Sequence, residues 1–200
     1  MKTLMMNCAA IAAAIGSTFA GAEARDFSAP EAYLAYLKLA QPADLSTYIP
    51  EYRLHFAPPS SRTSNEFDSE SEEKRLLTTL KRNVSSFDLN EPFELQLSVQ
   101  FGEYNFEKKA FNFHPLSASN VFASGRISLV FLNTRQFDGL PMDESQARAF
   151  VQRNPSRTVA ATVRFVPKEA IEDTNRIKAS IVGIEVFSDS RRQNLIYVMK

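Results

Sequence analysis

Residues 93–114, FELQLSVQFGEYNFEKKAFNFH, carry the strongest structural signal in the chain. Phe93, Leu95, Leu97, Val99 and Phe101 alternate strictly with Glu94, Gln96, Ser98 and Gln100. A period of two over nine residues predicts a strand with one face in a core and one in water. Gly102 interrupts it, and Tyr104, Phe106, Phe111 and Phe113 follow within eleven residues. Two registers satisfy this pattern. A hairpin turning at Gly102 and Glu103 sets Phe101 against Tyr104, and an extra residue near Lys108 and Lys109 restores the phase as a β-bulge. Alternatively, one long strand bends at Gly102 and turns at residues 107–109. The hairpin at Gly102 is preferred.

Downstream the chain alternates β and α signals. Ile127, Leu129 and Phe131 form a strand that is apolar on both faces at its end, as an interior strand would be. A loop over residues 133–140 leads to Asp143-Glu-Ser-Gln146, a capping box opening a helix with Ala147, Phe150 and Val151 on one face, stopped by Asn154-Pro155. Glu144 and Arg148 form an i,i+4 pair on its outer side. Val159, Ala161, Val163 and Phe165 alternate again, and Pro167 is expected to end that strand. Residues 177–187 change parity near Gly183, predicting a bend or bulge there. A polar turn at residues 188–194 precedes a terminal hairpin strand at residues 195–199.

Upstream, Ser28-Ala-Pro-Glu31 is a capping box with Pro30 in the first turn, followed by Tyr33, Tyr36, Leu37 and Ala40 on one face. Residues 57–65, APPSSRTSN, read as a loop. Ser69-Glu-Ser-Glu72 opens a second helix to about Val84, with Leu76, Leu77, Leu80 and Val84 as its apolar face. Acidic residues crowd its first turns and Lys81 and Arg82 its last, which complements the helix dipole. The expected architecture is α+β. It has a mainly antiparallel sheet of five to seven strands, a helical N-terminal portion over residues 23–90, and a β-rich part over residues 91–200 with a helix near residues 143–153.

The first residues read as an export signal. Lys2 precedes an alanine-rich apolar run, residues 8–15, and Ala20-Gly21-Ala22 supplies the small–x–small pattern of a cleavage site. The apolar run falls short of the roughly 20 residues that span a bilayer. Cys8 opens the apolar run instead of ending it, and Met5-Met6-Asn7 before it is no small-residue lipobox, so it is expected to leave with residues 1–22. The rest of the chain has no cysteine, hence no disulfide and no thiolate chemistry. A cysteine-free exported chain fits a bacterial periplasm. Basic and acidic residues balance at 23 each, so the basic excess of a nucleic-acid binder is missing.

Motifs that carry chemistry are absent. The sequence contains no nucleophile elbow, phosphate-binding loop, dinucleotide fingerprint or zincin helix. His55 and His114 lack metal-ligand spacing, and no metal or cofactor is expected. Ser124 with His114 and Asp138 is an imaginable triad, but turn chemistry accounts for Ser124 and Gly125. Glu103 and Glu107 on one extended strand stand about 13 Å apart, too far for a glycosidase pair. No catalytic residue is assigned. Arg148, Arg153, Arg157, Arg164 and Lys168 surround the 143–153 helix and the next strand, and are the candidate binding residues for an acidic group.

The leader, the Gly102-Glu-Tyr-Asn-Phe106 segment, and Leu140-Pro-Met-Asp-Glu144 leading into Ala147 and Phe150 together resemble a family of exported bacterial proteins carrying a domain of unknown function. The likeness covers roughly residues 85 to 200. It implies export and an α+β build and transfers no catalytic residue. The expected role is a non-enzymatic periplasmic or envelope-associated module binding a protein, peptide or glycan. That role suits a sheet with edges able to accept an added strand. The alternatives are a periplasmic hydrolase using carboxylates or histidine, and a secreted accessory or effector-like protein.

Overall fold

In the computed structural model, residues 24–56, 66–116 and 122–200 are described, with residues 66–69 as backbone only. The expected leader and the 57–65 loop lie outside them. In chain order the elements are β1 (Arg25–Asp26), α1 (Ala29–Ala40), α2 (Ile49–Phe56), α3 (Glu66–Ser86), β2 (Phe93–Asn105), β3 (Ala110–Phe113), β4 (Phe122–Ser124), β5 (Ile127–Phe131), β6 (Leu140–Pro141), α4 (Glu144–Arg153), β7 (Thr158–Ile171), β8 (Arg176–Phe187) and β9 (Leu195–Met199). The fold is α+β, as expected.

Among the described residues, nine strands form one curled, mostly antiparallel sheet in the order β4-β5-β8-β7-β2-β3-β6, with β1 added to β2 and β9 to β8. The excess over the expected seven is β1 and β6, each two residues long and therefore without a readable period. The parallel pairs are β1 with β2 and β5 with β8.

The apolar row of β2 organises the interior. Phe93 stacks on Phe165 of β7 at 5.6 Å, and Phe27 meets both rings edge-on at 5.8 and 5.5 Å. Phe87 and Phe131 extend the cluster, which the helices close. Tyr33, Leu37, Leu76 and Leu80 join the same core as Val163, Ile177 and Ile184. Each such aromatic contact adds about 0.5–1.5 kcal/mol beyond area burial.

Four expectations are corrected. The preferred hairpin at Gly102 is overturned. β2 is a single 13-residue strand, the turn falls at residues 106–109, and Phe101 pairs with Phe113 and Tyr104 with Phe111. Gly102 and Glu103 together oppose Asn112, so the bulge sits there and not at Lys108 and Lys109. The reason is contact distance: a Cβ on Gly102 would lie 3.1 Å from the Asn112 Cβ.

α3 begins at Glu66, so Ser69 lies within its first turns and not at its cap. Ser28 occupies the N-cap of α1, but its side chain makes no capping bond and Glu31 turns instead to Arg25 at 3.4 Å. Pro167 does not end β7. It pairs with Ala179, and the register slips just after it at Lys168. A proline is tolerated there because a bulge follows and β2 has already stopped pairing, at Phe165.

Other readings stand. β8 slips register between Gly183 and Ile181, β9 closes a terminal hairpin on β8, and Asp143 caps α4.

Candidate functional site

The bulge that Gly102 permits also shapes an apolar groove beside α4. Beyond it, Tyr104 and Phe106 swing towards α4, their rings perpendicular at 5.1 Å. The Asn105 carboxamide accepts the Lys108 amide N–H at 2.9 Å, and Lys109 takes a left-handed conformation at φ 49° to complete the turn. The hairpin tip is then tied to the entrance of α4. The Tyr104 hydroxyl donates to the Met142 carbonyl at 2.8 Å, and the Met142 N–H donates to the Lys109 carbonyl at 3.0 Å. Desolvation, aided by nearby Glu144 and Asp143, raises the Tyr104 pKa, so the phenol stays a neutral donor.

α4 is held from the other side. The Asp143 carboxylate accepts the Gln146 N–H and the Ser145 hydroxyl, each at 2.8 Å, and these bonds hold it below the usual carboxylate range. Phe150 packs on Phe101 at 5.1 Å and Phe111 at 6.0 Å. Between helix and hairpin runs a groove of about 300 Å³. Tyr104, Phe111, Ala147 and Val151 supply its apolar lining, with Phe106 at the rim, 68% exposed.

Arg157 closes one end. Its Nη1 donates to the Gly102 carbonyl at 2.6 Å, and the guanidinium lies 5.8 Å from the Phe101 ring. Arg148 lies on the rim and pairs with Glu144 at 2.9 Å, an exposed ion pair worth little stability. The groove can therefore accept an apolar side chain between two guanidinium groups.

Of the five candidate basic residues, the structure brings Arg148 and Arg157 together in this groove. Arg153 lines a separate hollow of about 460 Å³ with Asn154, Ser188 and Ile196. Arg164 of β7 sits directly opposite Glu94 of β2, Nε to carboxylate 2.7 Å. Lys168 is exposed at the β7 bulge. Sequence reasoning missed the aromatic half of the groove because the Gly102 hairpin placed Tyr104 and Phe106 inside the core ladder. Moving the turn to residues 106–109 puts Phe106 at a tip.

The histidines are held apart from each other. His114 Nδ1 meets the Asp138 carboxylate at 3.0 Å, with the imidazole 65% exposed. His55 packs on Tyr33 at 5.4 Å and lies against Gly125. The Ser124 hydroxyl donates to the Phe27 carbonyl at 3.2 Å. It belongs to β4, separated in the sheet from the strand preceding His114 by β5, β8, β7 and β2. Among the described residues, no group of three or more His, Cys, Asp and Glu side chains is placed to hold a metal ion. Among the same residues, no helix is long and apolar enough to cross a membrane.

No curated protein and no solved structure matches the chain. One family does match, described as a domain of unknown function, DUF4852, over residues 44–153. The match begins earlier than the resemblance suggested, taking in α2 and α3, and stops at the end of α4 with β7, β8 and β9 outside it. It spans the hairpin, the groove helix and the turn that ties them, and it covers just over half of the 200 residues. The chain belongs to the DUF4852 family, a domain of unknown function.

Proposed function

We propose that this protein is an exported bacterial binding module of the cell envelope, non-enzymatic, whose ligand is a protein or peptide segment that places an apolar side chain in the groove between the β2–β3 hairpin and α4. The observation carrying this reading is Phe106, a large ring 68% exposed at the rim of an apolar groove. The groove is tied on both sides by backbone and hydroxyl bonds. An aromatic held out on a rigid frame costs little entropy to engage, as binding surfaces require. Export is supported by the leader pattern of residues 1–22, and the lack of cysteine after it fits a bacterial periplasm as the destination.

The test is a photoreactive amino acid placed at position 106 of the full chain in the producing bacterium. Irradiation is expected to give discrete adducts in the periplasmic fraction, abolished when Val151→Trp fills the groove. Adducts unaffected by Val151→Trp, or none at all, overturn the groove reading. Cell fractionation tests the location separately. A chain retaining residues 1–22 in the cytoplasm sinks the export reading, and recovery from the medium replaces an envelope role with a secreted one.

A further inference from the structure

The two edges of β2 are used unequally. One edge pairs with β7 from Phe93 to Gln100. The other holds β1 at Phe93 and Glu94, and β3 from Phe101 to Asn105. Between Glu94 and Phe101, no strand among the described residues pairs with that second edge.

Two bonds fix which backbone groups face the gap. The Phe101 N–H donates towards β7, to the Arg157 carbonyl at 2.9 Å, whereas the Glu94 carbonyl accepts on the β1 side from the Phe27 N–H at 3.1 Å. Strand alternation then aims the N–H and C=O groups of Gln96 and Ser98 into the gap. The side chains show the same vacancy. Leu95, Leu97 and Val99 are half-buried, while their partners across the ladder, Val163, Ala161 and Val159, are 0%, 0% and 2% exposed.

We propose that this gap takes a short extended peptide as an added strand, a second site distinct from the aromatic groove. The flanks choose the occupant. Six residues of strand span about 20 Å, and β1 and β3 stand in the same layer at either end. A second copy's β2, 13 residues long, would run into both, so a short peptide enters where a sheet edge cannot. Residues 95–100, LQLSVQ, contain no charge and no proline, the usual devices that protect an edge.

On the polar face, Gln96 and Ser98 line a cleft of about 490 Å³ that lies over β7, with Thr158 and Ala160 as its other wall. The incoming peptide pairs its backbone with the N–H and C=O groups of Gln96 and Ser98 on the open side. Its apolar side chains at alternate positions would extend the row of Leu95, Leu97 and Val99, the arrangement by which added strands gain both affinity and selectivity.

The test is amide hydrogen exchange of the full, isotopically labelled chain, with an acetylated, amidated hexapeptide of alternating valine and threonine as probe. In the free protein, Gln96 and Ser98 are expected to exchange at least tenfold faster than Leu95, Leu97 and Val99, whose N–H groups face β7. The probe should protect Gln96 and Ser98 at least tenfold, and its N-methylated version, which keeps the side chains and loses the donors, should not. Ser98→Pro removes one outward N–H without touching the β7 ladder and should lower probe affinity at least tenfold. Protection of Gln96 and Ser98 in the free chain, whether the strand comes from within or from a second copy at higher concentration, overturns the proposal. So does equal binding of the N-methylated probe, which would mean apolar contact alone.

Discussion

Gly102 is kept free of a side chain by the strand opposite it. A methyl group there would press on the Cβ and carbonyl of Asn112 at 3.1 and 3.3 Å. Gly102→Ala is therefore expected to cost about 1 kcal/mol in urea unfolding. The double variant with Asn112→Gly should show a favourable coupling, because the two changes share one contact. Gly125 differs in kind: its φ of 64° is left-handed, and an added Cβ would meet Ala29 at 3.2 Å. Gly125→Ala should cost about 1–2 kcal/mol, conformational strain plus crowding. Gly102 was visible as a break in a period and Gly125 as a turn residue. What the break at Gly102 meant was not visible, since alternation reads the same whether a glycine turns a hairpin or seats a bulge. The deciding contact, with Asn112, is made ten residues further on.

Helix α4 shows how local chemistry sets an element's sensitivity to pH. The Asp143 carboxylate is held below its ordinary range by the Gln146 N–H first and the Ser145 hydroxyl second. A depressed folded pKa means that this stabilisation is complete above the unfolded value of about 4 and disappears as pH falls through the folded one. Asp143→Ala should accordingly destabilise the protein at pH 7, with the difference from wild type shrinking towards pH 2 in thermal melts. Ser28→Ala should cost only a few tenths of a kcal/mol, because no bond is lost at that cap. Caps such as Asp143 are legible in sequence because donor and acceptor lie three residues apart. The persistence of β7 through Pro167 was not, because it depends on where β2 ends.

At the scale of the whole molecule, one apolar cluster joins α1, α2 and α3 to the sheet. The sequence division at residue 90 therefore cuts through a shared interior. A chain comprising residues 91–200 is expected to bind a hydrophobic dye and to lose its near-ultraviolet dichroism, since Phe93, Phe131 and Phe165 would lie open. Cooperative melting of that fragment would show that the helices only lean on the sheet. The fold class was readable because periods of 2 and 3.6 are written locally. Strand order was not, because the pairing of β5 with β8 joins segments far apart in the chain.

That pairing meets the β8–β9 hairpin on one edge of β8, and the Asn133 carboxamide fills the seam. It accepts the Ile181 N–H at 2.8 Å and donates to its carbonyl at 3.0 Å across 48 residues. Loop-closure entropy makes such a contact late to form, while the β7–β8–β9 meander closes short loops early. The Asn133 bonds are therefore expected to form after the folding transition state. Asn133→Ala should leave the refolding rate nearly unchanged and speed unfolding severalfold in stopped-flow measurements.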